Sequence, residues 1–191
     1  VANEVKSHEF TTGIAGNYTV SYVAGTLTMK TAEQAITVTA NSNSQTYNGE
    51  ALVDNGYSLT AGSLLEGDRL VVTVVGSATN VADKETGNNK ITEVKVMHGD
   101  EDVTANYKVT TVDGTLTITP ATVTITAKSE EFTYDGNTHS NAGYDVDGLV
   151  GNDAIEAVVE GSITYPSQSP VANEVKSHEF TTGIAGNYTV S

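Results

Sequence analysis

The sequence predicts an all-β protein made of tandem repeats, and three observations lead to this prediction. Thr and Val are the commonest residues of the chain, and both suit a pleated strand because they are stiff at Cβ. Short segments alternate apolar and hydroxyl side chains, and long segments recur. Helix-forming residues dominate no long window, so we expect helix in less than roughly a tenth of the residues.

The longest recurring segment is an exact duplicate. Val171–Ser191 repeats Val1–Ser21 at every position. No fold needs a literal copy of its own end, whereas a tandem array cut within a repeat produces one. We therefore expect the chain to be a piece of a longer array.

A shorter period lies between the two copies. The Thr-Tyr-Asn-Gly segment 46–49 recurs as Thr-Tyr-Asp-Gly at 133–136, and segment 106–118 matches segment 17–29. Two diverged units of roughly 80–90 residues therefore alternate. The predicted divisions are residues 1–30, the C-terminal part of a preceding unit B; residues 31–119, a complete unit A; and residues 120–191, a unit B without its last strand.

The predicted strands follow from side-chain alternation. Segments 36–40 and 123–127 alternate apolar residues with Thr, so one face of each strand should be buried. Asp68 to Val75 forms a further apolar segment. Asp113-Gly114 lies between two alternating segments and predicts a hairpin turn. Pro120 separates the units, because proline donates no hydrogen bond to a ladder.

Each unit is expected to be a small antiparallel β-sandwich of six or seven short strands, with the units arranged end to end. An Ig-like sandwich is the first choice. A β-grasp-like module with one short helix is the alternative, since Ser63–Asp68 could supply a helical turn. The sequence leaves these two topologies open.

Composition excludes several classes of function. There are 24 acidic and nine basic residues, and the net charge of −15 disfavours nucleic acids and anionic membranes as partners. No apolar segment approaches the length of a membrane-spanning helix. Without Cys the chain has neither disulfides nor thiolate metal sites.

The order of the short motifs resembles that of the MBG/YDG-type repeat domains of large bacterial cell-surface adhesins. Unit A departs from Tyr-Asp-Gly by carrying Asn48 in the central position. The motif residues are Tyr47, Asn48, Gly49, Tyr134, Asp135 and Gly136, and the closing signatures are Asn106-Tyr107 with Gly114-Thr115-Leu116 and Asn17-Tyr18 with Gly25-Thr26-Leu27.

The resemblance implies an extracellular module on a bacterial cell surface or cell wall, and it brings no catalytic residues. The expected function is that of a non-catalytic stalk or adhesion repeat that projects a distal binding region, with neighbouring repeats as head-to-tail partners. The alternative is a module that binds a host glycan or matrix protein directly. We expect no enzyme activity and no membrane insertion.

Acidic clusters offer weak candidates for a calcium site. One set lies around a glycine, but its glycine spacing differs from that of an EF-hand loop. We expect acidic surface turns rather than metal sites, and no required cofactor. The candidate calcium ligands are Asp145, Asp147 and Asp153 in unit B, and Asp100 and Asp102 in unit A.

The remaining candidate functional residues are histidines and lysines that lie in no recognisable motif. His8, His98, His139 and His178 lie in no recognisable catalytic motif, so we expect surface histidines. A Lys–Asn isopeptide cross-link is a further possibility that the sequence leaves open, with candidate lysines Lys95, Lys128 and Lys176.

The predicted divisions also imply an exchange between chains. Residues 22–30 hold the strand that unit B lacks, and segment 1–30 contains too few strands for a core of its own. An exposed sheet edge is a template for pairing. We therefore expect residues 1–30 of one chain to complete unit B of another.

Overall fold

The computed structural model describes residues 1–31 and 33–191, and it confirms the prediction of a mainly β protein. Strands hold 45% of the residues and helical segments hold 6%. Each helical segment among the described residues is a single 3₁₀ turn of three residues. The low helix content is the one expected from the abundance of Thr and Val.

The described residues contain fifteen strands. They are β1 (Ala2–Asn3), β2 (Gly25–Thr26), β3 (Gln34–Ala40), β4 (Asn43–Thr46), β5 (Tyr57–Ala61), β6 (Asp68–Val75), β7 (Lys90–His98), β8 (Glu101–Asp102), β9 (Tyr107–Val112), β10 (Leu116–Thr119), β11 (Ala121–Ala127), β12 (Tyr144–Asp147), β13 (Ala154–Glu160), β14 (Glu174–Thr182) and β15 (Tyr188–Val190). The predicted strand from Asp68 to Val75 is β6.

β1 and β2 form a short antiparallel pair, and the strands of segment 34–119 form two small sheets and a parallel pair. β3 lies between β5, which is antiparallel to it, and β9, which is parallel to it. Soon after β3 the chain continues as β4, which pairs in parallel with β10. β6, β7 and β8 form a separate antiparallel sheet. The first strands of this segment therefore pair in parallel with its last strands.

The same pairings recur after Pro120. β11 lies between antiparallel β12 and parallel β15, as β3 lies between β5 and β9. β13 pairs with β14 in the manner of β6 with β7. One position differs. When the motifs at 46–49 and 133–136 are aligned, segment 130–133 corresponds to β4, yet it belongs to no strand in the described part of the chain.

Alternation along the strands places the core as predicted. In β3 the side chains of Ile36, Val38 and Ala40 are buried, and in β11 those of Val123 and Ile125 are buried. The intervening threonines of β11 face outward. One face of each strand therefore packs into a core while the other contacts water.

Three small clusters of buried residues replace a single large core. The described chain exposes 12978 Å², whereas a compact domain of this mass would expose roughly 8,700 Å². Tyr47 packs against two of the clusters and so joins unit A to unit B. The clusters are centred on Ile36, Val96 and Tyr107; on Leu52, Ala78, Leu116 and Ile118; and on Ala121, Val123, Ile125, Ile155 and Tyr188.

Two topological predictions are wrong. The pairing is not purely antiparallel, and Asp113-Gly114 makes no hairpin because β9 pairs with β3 and β10 pairs with β4. Backbone bonds of 3.1 and 2.8 Å instead join Gly114 to Asn89. Glycine is required because a Cβ at position 114 would lie 2.0 Å from the Asn41 carbonyl oxygen. Asp113 and Gly114 thus connect β9, which pairs with β3, to β10, which pairs with β4.

The suggested helical turn is also absent. Between Ser63 and Asp68 the chain forms a turn at Glu66-Gly67 and no helix. The hydroxyl of Tyr107 accepts a hydrogen bond from the Leu65 amide at 2.9 Å and thereby anchors this loop to β9. The short helix that favoured a β-grasp-like module is therefore missing from the place expected for it.

The two copies of the duplicated segment adopt different structures. Segment 174–182 forms strand β14, whereas the identical segment 4–12 has no regular structure. No residue of segment 1–31 is buried, so Tyr18 is exposed, whereas its equivalents Tyr107 and Tyr188 are buried in the core. Strand partners are therefore what give this sequence its extended form.

Replacing Gly114 tests the crossing between sheets. We expect Gly114→Ala to destabilise unit A by about 1–3 kcal/mol, because the new methyl group meets the Asn41 carbonyl and the backbone must shift. Urea unfolding provides the measurement. The control is Gly186→Ala, where no atom lies within 4 Å of the new Cβ, and its stability should stay within about 1 kcal/mol of that of the original chain. An equal loss of stability in the two variants would contradict the close approach of Gly114 to the Asn41 carbonyl.

Candidate functional site

Each unit contains a buried tyrosine whose hydroxyl is held by two partners. In unit A, Tyr107 donates to the Asp68 carboxylate at 2.5 Å and accepts from the Leu65 amide at 2.9 Å. In unit B, Tyr188 donates to Asp153 at 2.5 Å and accepts from the Val150 amide at 3.1 Å. The strand that begins at this tyrosine, β9 in unit A and β15 in unit B, is thus tied to the turn before the second sheet of its unit. Equivalent tyrosines therefore bond to an aspartate in both units.

In both units these bonds favour a neutral tyrosine, and in unit A they also favour a charged Asp68. Burial and the bond to Asp153 raise the pKa of Tyr188 to about 12, and burial with Asp68 raises the pKa of Tyr107. The Tyr107 hydroxyl, followed by His98 at 2.6 Å, lowers the pKa of Asp68. At neutral pH each tyrosine hydroxyl therefore stays protonated and keeps donating its hydrogen bond, which supports the fold.

The tyrosine of unit B also contacts unit A. The ring of Tyr47 meets that of Tyr188 edge to face, with centroids 5.3 Å apart, and its hydroxyl lies 3.4 Å from the Asp153 carboxylate. Phe180 stacks on the other side of Tyr188 at 5.1 Å. Aromatic pairs in these geometries are attractive beyond their buried area. Tyr47 of the repeat motif therefore lies at the junction between the units.

A second pair of contacts at the junction comes from Asn187. Its side chain is 1% exposed; its Oδ1 accepts from the Val81 amide at 2.9 Å, and its Nδ2 donates to Asn80 Oδ1 at 2.8 Å. Sequence reasoning missed this role. The recurrence of Asn-Tyr at 17–18, 106–107 and 187–188 was the available signal, but nothing in the sequence identified the partners.

The Tyr-Asn-Gly and Tyr-Asp-Gly motifs form the same turn. Gly49 and Gly136 have φ values of 81° and 84°, which favour glycine. Asn48 accepts from an amide two residues ahead at 2.9 Å, and Asp135 does the same at 2.9 Å. Asn and Asp are therefore equivalent in this turn. At Asp135 the bonds to Asn137 and then to His139 lower the pKa of the carboxyl group.

The two motif tyrosines have different surroundings. Tyr47 packs at the junction, while Tyr134 is 58% exposed and has Tyr165 as its nearest aromatic neighbour, 6.4 Å away. Both tyrosines hold the same place in the repeat. The motif therefore partly buries its tyrosine in unit A only.

The candidate calcium ligands in unit B do not come together. Asp145 and Asp147 face outward on β12, and Lys128 lies 3.1 Å from Asp145. Asp153 is instead bonded to tyrosine hydroxyls. In unit A, Asp102 accepts two bonds from Thr104, at 3.0 and 2.6 Å, and Asp100 lies exposed in the adjoining turn. Nowhere in residues 1–31 and 33–191 do three or more His, Cys, Asp or Glu residues cluster as for a metal ion.

The histidines and lysines are placed on or near the surface. His98 lies 2.6 Å from Asp68, and His139 lies 2.9 Å from Asp135. His8 bonds the Tyr22 hydroxyl, and His178 is exposed on β14. The candidate cross-linking lysines Lys95, Lys128 and Lys176 pair with carboxylates: Glu93 at 2.7 Å, Asp145 at 3.1 Å and Glu174 at 2.5 Å.

Comparison of the chain with family models, curated proteins and solved structures found no match. None of the described helices is long and apolar enough to cross a membrane. The resemblance to surface adhesin repeats therefore depends on the motifs and their spacing alone.

The hydroxyl of Tyr188 predicts a dependence of stability on alkaline pH. Its pKa is about 12 in the folded chain and near 10 when unfolded, so its contribution is complete below pH 10 and falls as the pH rises toward 12. We expect Tyr188→Phe to lower the free energy of unfolding at pH 7 by about 1–3 kcal/mol. The variant should also lose less stability than the original chain between pH 10 and pH 12. Thermal melts across this range measure both effects.

Tyr18→Phe is the matched control, since Tyr18 occupies the same position in the exposed copy of the sequence. Its melting curve should follow that of the original chain at each pH. A Tyr188→Phe curve that also follows the original chain would refute the role of the bond to Asp153.

Proposed function

We propose that this chain is a non-catalytic tandem-repeat stalk or adhesion module of a bacterial surface protein, of the MBG/YDG type. It would lie outside the cell, where head-to-tail repeats project a distal binding region. Each unit would be an Ig-like sandwich. The junction between the units is the observation that carries this proposal.

The junction leaves little freedom between neighbouring units. Pro120 is the only residue between β10 and β11, so no flexible linker separates the two segments. Asn187 and Tyr188 of unit B contact Asn80 and Tyr47 of unit A across it. A short, bonded connection of this kind resists bending, which suits a stalk.

The sheet arrangement supports the sandwich part of the proposal. In unit A, Ile36 and Tyr107 from the sheet of β5, β3 and β9 pack with Val96 from the sheet of β6, β7 and β8. Two sheets that bury one face each against a shared apolar layer are typical of a sandwich. The repeated pairings in unit B favour the same architecture there.

A direct glycan- or matrix-binding module is the second candidate, and an aromatic groove in unit B favours it. Tyr134, Tyr165 and Phe132 line the groove, and His139 stacks on Phe132 with ring centroids 4.7 Å apart. Aromatic faces with a few polar groups are the usual lining of small-ligand sites.

Binding measurements separate the two candidates. The purified chain would be applied to a glycan array and to mucin- and matrix-coated surfaces, with a Tyr134→Ala variant as the control for the groove. The stalk proposal expects no saturable binding. Saturable binding that Tyr134→Ala abolishes would replace it with the binding-module proposal.

The stalk proposal also predicts the effect of removing the junction amide. We expect Asn187→Ala to destabilise the chain by about 1–3 kcal/mol, since it leaves the Val81 amide without its buried acceptor. It should also broaden the distribution of distances between the units, measured by spin labels at Thr92 and Thr138. The control is Asn17→Ala in the exposed copy, which should change neither value. An unchanged distance distribution for Asn187→Ala would contradict a bonded junction.

A further inference from the structure

The second sheet of each unit buries one face and exposes the other. This sheet contains β6, β7 and β8 in unit A, and β13 and β14 in unit B. Residues that pair across antiparallel strands lie on the same face. Leu70 pairs with Val96 in unit A, and both face the core. Ile155 pairs with Phe180 in unit B and both do the same. The residues next to these pairs along the strands therefore form an outer face.

The outer face of unit A is basic for a chain of this composition. Lys95 pairs with Val71, and both side chains are exposed. Lys90 pairs with Val75 in the same way. The face holds three of the nine basic residues of a chain whose net charge is −15. Its charged residues are Arg69, Lys90 and Lys95, together with Glu93 and Asp102.

The outer face of unit B is acidic. Glu156 pairs with Glu179, and Glu160 pairs with Glu174. Lys176 lies 2.5 Å from Glu174. Glu156 and Glu179 belong to no ion pair in the part of the chain that the structure describes. Carboxylates directly opposite each other destabilise an antiparallel pair, so these glutamates do not stabilise the fold.

The charge is reversed at equivalent positions of the two sheets. β7 begins at Lys90 and β14 begins at Glu174, and both strands carry a bulge between their second and fourth residues. Lys95 therefore corresponds to Glu179. In each strand the two charges lie roughly 15 Å apart. The two faces thus have the same backbone layout and opposite charges at the same spacing.

Apolar side chains lie between the charges on both faces. Val71 and Val75 of unit A are 39% and 57% exposed, and Val158 of unit B is 52% exposed. Val158 lies on β13 between the two glutamate pairs. An apolar centre within a polar rim is the usual anatomy of a protein–protein interface. Both outer faces therefore have the composition of a contact surface.

We propose that the outer face of β6 and β7 in one copy of this chain binds the outer face of β13 and β14 in a second copy. Lys90 and Lys95 of one copy then lie against the glutamate pairs of the other, and the exposed valines meet between them. The two surfaces differ, so the contact is heterologous. It holds copies side by side and does not depend on the stalk function.

Charge complementarity is the reason to choose a second copy as the occupant. Two chains of net charge −15 repel each other over most of their surface, and the basic face of unit A is where an acidic face can approach. Two strands of this length offer roughly 300 Å² per copy, below the roughly 800 Å² per partner of a stable interface. A single contact is therefore weak, and repeated contacts along an array would add to it.

An exchange of charges between the faces tests the proposal. Lys90→Glu with Lys95→Glu makes both faces acidic, and Glu156→Lys with Glu179→Lys makes both faces basic. Association is measured by sedimentation velocity at low ionic strength, at concentrations up to about 1 mM. The original chain should associate, and each double variant alone should associate at least about tenfold more weakly. An equimolar mixture of the two variants should regain the association, although both keep a net negative charge.

Lys84→Glu with Lys108→Glu is the matched control, because it changes the net charge equally at exposed positions outside the two faces. This variant should associate like the original chain. An original chain that stays monomeric, double variants that associate like the control, or a mixture that stays dissociated would overturn the proposal. Association that EDTA abolishes would also overturn it, since the glutamate pairs would then be binding a metal ion. None of these readouts depends on the glycan measurements that test the stalk function.

Discussion

The parallel pairing of the first strand of each unit with a strand near the end of that unit is the constraint on which the rest of this structure depends. It brings β9 beside β3 and β15 beside β11, although the strands of each pair lie far apart along the chain. Once the strands are paired, Tyr107 and Tyr188 reach the aspartates of the second sheet. Closing so long a loop is costly in entropy, and the buried alternating faces of β3 and β11 offset that cost.

The closing strand also creates the junction between the units. Asn187 and Tyr188 stand at the start of β15, where the chain enters the parallel pair, and both contact unit A. A residue pair that helps to close its own unit therefore also binds the neighbouring one. This double use gives a physical reason for Asn and Tyr to recur together, and it makes the stability of unit B and the stiffness of the junction depend on the same few contacts.

Local patterns in the sequence predicted the strands and turns but not their partners. The Thr alternation of β11 and the glycine of the Tyr-Asp-Gly turn act within a few residues, so they could be read directly. Asp113-Gly114 favoured a hairpin by composition, yet the approach of Asn41 decided its geometry. The duplicated segment shows the limit most clearly, because the Ala-Gly-Asn turn forms in both copies whereas β14 forms in one. The contact of Asn187 with Asn80 was unpredictable because it joins residues that lie far apart in the sequence.

Amide hydrogen exchange at Tyr47 and Tyr134 tests the central claim, that parallel pairing between early and late strands of a unit is what orders them. The two residues hold the same place in the repeat, and the Tyr47 amide donates to the Thr119 carbonyl at 2.8 Å. The account predicts slow exchange at Tyr47 and exchange close to that of an unfolded peptide at Tyr134, which has no such strand partner among the described residues. Equal protection at the two amides would contradict it.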